Sequence, residues 1–333
     1  MQSLLIQNAQ LFRADISLPE IQDHEALVRV LLAGICGTDL ELLKGYQNFQ
    51  GVPGHEFVGI VERCPTGPVL EGKRVVADIN CGCGHCSWCL NENERHCPER
   101  TVIGIRRHPG AFAQYLALPA KNLFPVPDEL SNEEAVFAEP LAAVLEMSRQ
   151  IQLTGQEKTA VLGDGTLGLL SALALKQHCR NLTLFGKHHS KLLIAEAQGI
   201  ATHLLASESS PKTAVGLQSF DLVIEATGRP QGLETALDLV RPEGTIVIKS
   251  TCQEKTTLNL AKVVVNEISL IGSRCGDPGL ALSVLRHKTF DVLPLIEAVY
   301  PLSDFQEAFF RAGQRGSLKV LMNLERLPSD RDG

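Results

Sequence analysis

Four cysteines in one short stretch hold the strongest chemical signal in this chain. Cys83, Cys86, Cys89 and Cys97 are spaced C-x2-C-x2-C-x7-C. Four thiolates that close can wrap one Zn²⁺ in a tetrahedron with no position left open. Such a site is structural: it folds a loop too polar to fold on a core of its own. An iron–sulfur cluster draws on a similar set, but the last interval does not fit the ferredoxin run, and a chance cluster of buried thiols is the plain alternative. Cys81 stands just before the run as a fifth candidate.

A second set is dispersed. Gly34-Ile35-Cys36-Gly37-Thr38-Asp39 is followed, nineteen residues after Cys36, by His55-Glu56, and much later by Ala138-Glu139-Pro140. A catalytic zinc takes three protein ligands of S, N or O type and keeps one position open. Cys36, His55 and one of the carboxylates Glu56 and Glu139 supply such a set. Taken singly these are weak signals: a lone histidine beside a carboxylate is more often a surface or satisfied core residue, and a lone cysteine such as Cys36 more often a small buried hydrophobe. Their weight comes from occurring together with the four-cysteine loop. A third signal is Gly163-Asp164-Gly165-Thr166-Leu167-Gly168, which follows a strand-like run and opens a helix-like one. In that context G-x-G-x-x-G lets the chain turn tightly and approach a pyrophosphate at a helix N-terminus.

The elements that must position these groups show in the periodicity. The first part is β-rich and broken by Gly and Pro: ALVRVLLAGIC, VGIVERC, KRVVADINC. SNEEAVFAEPLAAVLEMSRQI reads as one helix capped at Ser131 or Asn132. Apolar strands then alternate with helices: TAVLG, NLTLFG, FDLVIEATG and GTIVIKS are separated by TLGLLSALALKQH, HSKLLIAEAQG and GLETALDLV. That alternation predicts a doubly wound parallel sheet. A strand-like GSLKVLMNL closes the pattern, before a polar tail, ERLPSDRDG, that is expected to fray.

Composition narrows the class. A chain of 333 residues with 44% apolar and 21% charged residues has room for two domains. A net charge of −7 without a polybasic run argues against a nucleic-acid partner. No apolar stretch reaches membrane-span length, and the N-terminal segment lacks a secretory pattern, so a cytoplasmic location is expected. Ten cysteines, half of them between Cys81 and Cys97, do not make a disulfide scaffold. Cys64, Cys179 and Cys252 read as buried thiols, and Cys275 has no assigned role.

GICGTD at 34–39, GHEFVG at 54–59, the cysteine loop, GAFAQYLALP at 110–119, FAEP at 137–140 and GDGTLG at 163–168 resemble, in order, the zinc-containing medium-chain dehydrogenase/reductase family. That family includes alcohol, sorbitol, glucose and threonine dehydrogenases. The resemblance implies a β-rich GroES-like catalytic domain (residues 1–130 and 297–333) carrying both zinc sites, around a Rossmann domain (131–296). It implies two zincs per chain. Cys36 and His55 would ligate the catalytic one, with Glu56 or Glu139 completing the set as in the sorbitol and glucose branches, and Cys83, Cys86, Cys89 and Cys97 would hold the structural one. Thr38 would take the proton from the alcohol, and Asp39 would orient the ligand imidazole. Arg274 resembles an arginine that faces substrate in sorbitol dehydrogenases. One departure is Glu41, where several relatives have a proton-relaying histidine.

The resemblance also implies hydride transfer between a hydroxyl-bearing carbon of a polyol, sugar or other secondary alcohol and a nicotinamide cofactor, by a homodimer or homotetramer. At the end of the second strand, where NAD enzymes carry an acid, stands Gly186, followed by Lys187, His188 and His189. With no acid there, and room at the glycine for a phosphate, NADP is expected over NAD. Thr227, in Glu225-Ala226-Thr227-Gly228, is expected beneath the nicotinamide half. The alternatives are an NAD-linked alcohol or threonine-type dehydrogenase and a non-catalytic NADPH-binding redox sensor. A zinc ribbon for nucleic acid is disfavoured by the charge.

Overall fold

The β-strand Glu25–Ile35 alternates buried and part-exposed residues over its first half and is buried without interruption from Val30 on. An antiparallel strand with one wet face alternates; one covered on both faces does not. One edge pairs with Glu56–Arg63, which continues through Arg74–Ala77 to Leu123–Pro125. The other edge is shared, with Tyr115–Pro119 on the first half of the strand and Lys319–Asn323 on its end. Ile296–Pro301 lies parallel to Lys319–Asn323 and completes a seven-stranded sheet. The register matters for chemistry. Gly34 faces Glu56 and Ile35 faces Val320, so Glu56, Lys319 and the segment leading into Cys36 meet at one end of the sheet.

A second sheet has six parallel strands in the order Ala201–Leu204, Asn181–Gly186, Lys158–Leu162, Phe220–Glu225, Val240–Ile248, Ser269–Gly272. Numbered along the chain this is 3-2-1-4-5-6, the doubly wound order of a dinucleotide-binding fold. Helices Thr166–Lys176, His189–Ala197 and Pro230–Leu239 make the crossovers between neighbouring strands. Ala160, Leu162, Phe185, Phe220, Val223, Leu239 and Ile246 form one dry cluster in it. Strands buried on both faces explain why these segments are near-continuous apolar runs in the sequence.

The computed structural model describes residues 1–205, 217–251 and 254–325. Cys252 and the tail from 326 on lie outside them. The chain divides into two compact units. One comprises Met1–Glu139, Pro278–His287 and the chain from Ile296 onward, and the other Pro140–Asp277 with Lys288–Leu295. Among the described residues no helix is long and apolar enough to cross a membrane.

The helix expected from Ser131 onward is in fact two, Asn132–Ala135 and Ala138–Gln150. Ser131 does cap the first: its hydroxyl accepts from the Glu134 N–H at 3.1 Å, and the Glu134 carboxylate accepts from the Ser131 N–H at 2.8 Å. The break has a cause at Pro140. Proline has no N–H for the carbonyl four residues back and its ring crowds that carbonyl, so it is accommodated only in a first helical turn.

Candidate active site and metal centres

Cys36 is the N-cap of the short helix Gly37–Leu43. The third helical residue, Asp39, folds back so that its Oδ2 accepts from the Cys36 N–H at 2.9 Å. Its Oδ1 accepts from the Gly54 N–H at 3.2 Å and stands 3.4 Å from His55 Nδ1. One fully buried carboxylate therefore ties together the two loops that carry Cys36 and His55. A carboxylate behind a ligand imidazole fixes its tautomer and ring plane. Burial works to lower the His55 pKa, but Asp39 and Cys36 beside it hold it well above its ordinary value.

The ligand atoms of Cys36, His55 and Glu56 lie within 4.8 Å of one another. Glu139 is not part of that trio. It is close enough for the charges on His55 and Glu56 to act on it, and burial pushes its carboxyl up to about 7. The sequence reading missed the partner of Glu56: Lys319 Nζ lies 2.8 and 2.5 Å from its two oxygens and 3.3 Å from the Ile35 carbonyl. Burial would lower the Lys319 pKa, yet Glu56 and Cys36 raise it, so the amine is charged. Thr38 Oγ1 stands 3.8 Å from Cys36 Sγ. Glu41, at the far end of the same helix, pairs with Lys44 at 2.7 Å.

This donor set suits a borderline-soft divalent cation. It offers a sulfur, an imidazole nitrogen and carboxylate oxygens, with a second, buried carboxyl close by.

The four-cysteine loop folds back on itself beneath a small ribbon of Asn80–Cys81 and Thr101–Val102. The sulfurs of Cys83, Cys86, Cys89 and Cys97 all lie within 4.8 Å of one another. Cys86 and Cys89 are 3.6 Å apart, and Cys83 and Cys89 are 3.9 Å apart. A tetrahedron with zinc–sulfur bonds near 2.3 Å has edges of about 3.8 Å, so the spacing fits. Burial raises the Cys97 thiol, but the Cys83 N–H directed at it outweighs this and holds it down to about 7. Cys81 is not part of that group of four: it is buried in the ribbon instead. Cys64, Cys179 and Cys275 are buried as well.

The glycine-rich turn shows the three roles its pattern requires. Gly163 has φ +111°, and a Cβ there would strike the Ala226 carbonyl at 2.5 Å. A Cβ on Gly168 would come within 1.9 Å of the Gly163 carbonyl, so helix and strand pack at glycine distance. A Cβ on Gly165 would meet nothing within 4 Å, which leaves the backbone open where a pyrophosphate would approach. Thr166 and Leu167 begin the helix. Glu225 is buried and accepts from both the N–H and the hydroxyl of Thr227, at 2.8 and 2.6 Å. Arg274 is exposed in the same unit, its carbonyl 3.3 Å from Lys249 Nζ. Gly186, Lys187 and His188 form the turn after the second strand, but they are not without an acid. Asp164, from the glycine-rich turn, reaches across to them.

Comparison with known proteins agrees with this architecture. Residues 22–128 match the alcohol dehydrogenase GroES-like domain, and residues 166–297 match the zinc-binding dehydrogenase domain, together well over half of the chain. The L-threonine 3-dehydrogenase of Escherichia coli O1:K1 is 26% identical, with 94% of this chain and 96% of that protein covered. A structure named a short chain alcohol dehydrogenase from E. coli CFT073, complexed with NADH, superposes with a TM-score of 0.88 at 26% identity, covering 97% of this chain and 99% of the other. A putative zinc-binding dehydrogenase from Sinorhizobium meliloti 1021, bound to NADP, gives 0.88 at 26% identity, covering 97% and 98%. The chain belongs to the zinc-containing medium-chain dehydrogenase/reductase family. It is accordingly a dehydrogenase of the zinc-dependent, NAD(P)-linked kind.

Proposed function

We propose that this chain interconverts a secondary alcohol of a polyol, a sugar or a related compound with the corresponding carbonyl, exchanging a hydride with a nicotinamide dinucleotide. The observation that carries the reading is the convergence of Cys36, His55 and Glu56 over the buried Asp39, with Glu139 close by. Cys36, His55 and one of the two glutamates would hold the catalytic zinc; Cys83, Cys86, Cys89 and Cys97 would hold a structural one. When bound, the catalytic zinc supplies Lewis acidity at the substrate oxygen, and the dinucleotide takes or gives the hydride. Thr38, two residues beyond Cys36, accepts the hydroxyl proton of the alcohol. Asp39 keeps His55 oriented through its contacts with both ligand loops, and Arg274 faces the substrate. The carboxylates of the ligand set favour the polyol and sugar branch. Residues 1–130 with 297–333 form the catalytic domain, and 131–296 the dinucleotide domain. Between the two dinucleotides, Lys187 speaks for NADP and the Asp164 carboxylate for NAD.

Initial rates of zinc-loaded protein on polyols, aldoses, amino alcohols and simple alcohols, each with NAD and NADP, test this. Turnover is expected on a polyol or sugar. Turnover confined to simple primary alcohols or amino alcohols would sink the substrate class, and none in either direction would leave a dinucleotide-binding sensor.

We infer a homodimer or homotetramer as well. Ser269–Gly272 is an end strand of the six-stranded sheet, and the helix Leu260–Val265 beside it in sequence exposes Leu260, Val264 and Val265 at 64–79%. An open strand edge next to exposed aliphatics invites pairing. Light scattering should give twice or four times 36.2 kDa; a monomer mass at micromolar concentration would overturn the inference.

A further inference from the structure

We propose that Asp164, rather than any residue of the second strand, sets the choice of dinucleotide, and that its carboxylate makes the chain prefer NAD(H) to NADP(H). This rests on the dinucleotide-binding reading given above.

In a doubly wound domain the adenosine ribose lies at the turn after the second strand. An acid in that turn accepts from the ribose 2′-hydroxyl; a basic residue accommodates a 2′-phosphate. Here the turn is Gly186-Lys187-His188, between the strand Asn181–Gly186 and the helix His189–Ala197. The strand itself offers no acid. Asp164 arrives from the glycine-rich loop instead. Its Oδ2 accepts from the N–H groups of Lys187 and His188, both at 2.7 Å, and lies 2.9 Å from His188 Nδ1.

Two effects follow from that placement. First, the room that Gly186 leaves is already taken: a Cβ there would stand 2.7 Å from both Cβ and Oδ2 of Asp164. The glycine makes space for an internal carboxylate, not for a phosphate. Second, successive backbone N–H groups in a turn form a cradle for an anion, and this cradle is filled by one that belongs to the chain. All three donors converge on Oδ2, so that among the described residues Oδ1 is left to accept from a ribose hydroxyl.

The carboxylate is charged. Burial works to raise its pKa, but the N–H and ring of His188 and the N–H of Lys187 hold it below its ordinary value. Asp164 is only 8% exposed, so its field reaches a neighbouring phosphate through a medium that screens poorly. Lys187 is one opposing charge, but it is exposed, and a solvated lysine contributes little. The His188 ring is already engaged with Asp164. Lys191, buried in the helix after the turn and close enough to act on Asp164, offsets part of that field. The preference therefore rests on the filled cradle, which leaves no N–H groups for a 2′-phosphate, and on the acceptor offered to the ribose.

The test is direct binding to the zinc-loaded full-length chain without substrate, by calorimetry and by the fluorescence of the reduced nicotinamide, for NADH and NADPH in turn. NADH is expected to bind about tenfold tighter or more, a difference of about 1.4 kcal/mol. In Asp164→Asn, which keeps an acceptor and loses the charge, NADPH should tighten by about tenfold while NADH weakens by less. Asp164→Ser should move the ratio the same way, and Lys187→Ala should move it by less than about threefold. NADPH binding as tightly as NADH in the unmodified chain overturns the proposal, and so does a ratio that neither Asp164 variant changes. Binding of neither dinucleotide removes the underlying reading together with the proposal, an outcome plainly different from a wrong preference. The preference of the unmodified chain can refute the idea by itself, so a variant that folds poorly does not protect it.

Discussion

His55→Ala is expected to lower turnover by about a thousandfold or more and to remove one zinc per chain. A Lewis acid at a developing alkoxide is worth several kcal/mol of barrier, and each 1.36 kcal/mol is tenfold in rate. Losing the imidazole leaves Cys36 and Glu56 without the nitrogen that completes the trio. Cys89→Ser is the counterpart. It also removes one zinc per chain, but from the cysteine loop, where the four sulfurs lie within 4.8 Å of one another and join the two short helical turns Ser87–Leu90 and Glu94–His96. Structural zinc contributes folding energy outright, so the expected signature is a melting temperature lower by about 5 °C or more, with the rate below that transition changed little. Metal analysis, calorimetry and initial rates on both variants separate the two roles. If His55→Ala keeps both zincs and its rate, the site has been misread; if Cys89→Ser melts like the unmodified chain, the loop owes its shape to something else.

Lys319→Met should cost about 3–5 kcal/mol of stability, since removing one partner of a buried pair strands the other charge. Glu56 is 1% exposed, and both its oxygens are held by the lysine. Glu56→Gln added to Lys319→Met should recover much of the loss, because a neutral amide needs no counter-charge. The deficit should be larger in chelator-treated protein than in zinc-loaded protein, because a divalent cation near Glu56 would supply the missing positive charge. Calorimetric transitions of the single and double variants, with and without zinc, give the answer. A Lys319→Met protein that melts unchanged in chelator would show that the pair contributes nothing to the fold.

What could be read from the sequence followed distance along the chain. The four cysteines are within fifteen residues, so spacing alone suggests that they meet. The parallel sheet was legible because strands covered on both faces are written as apolar runs. Cys36 and His55 were legible only through their order with other motifs. Lys319 was not: it lies 263 residues from Glu56, at the first position of a strand whose apolar run begins only after it. A buried lysine in a strand of the sheet is itself a signal, since it must find an anion, but the sequence does not say which one. Asp164 was passed over as a variable position between two glycines, because the pattern describes backbone and says nothing of where that side chain reaches. The helix break before Pro140 was a matter of stereochemistry outvoted by periodicity.

The strand Glu25–Ile35 also bears on biosynthesis. Its closing edge is covered by Lys319–Asn323, and the lysine that neutralises Glu56 also reaches the Ile35 carbonyl, 284 residues upstream. A ribosome adding about 5–20 residues per second needs roughly a quarter of a minute to a minute to travel that far. Until then the nascent chain displays an apolar strand edge and, once Glu56 is made, an acid without its lysine, and by the end of the interval the unit made from Pro140–Asp277 and Lys288–Leu295 has all of its residues in hand. Among the described strands, the last made is therefore the one that covers this edge.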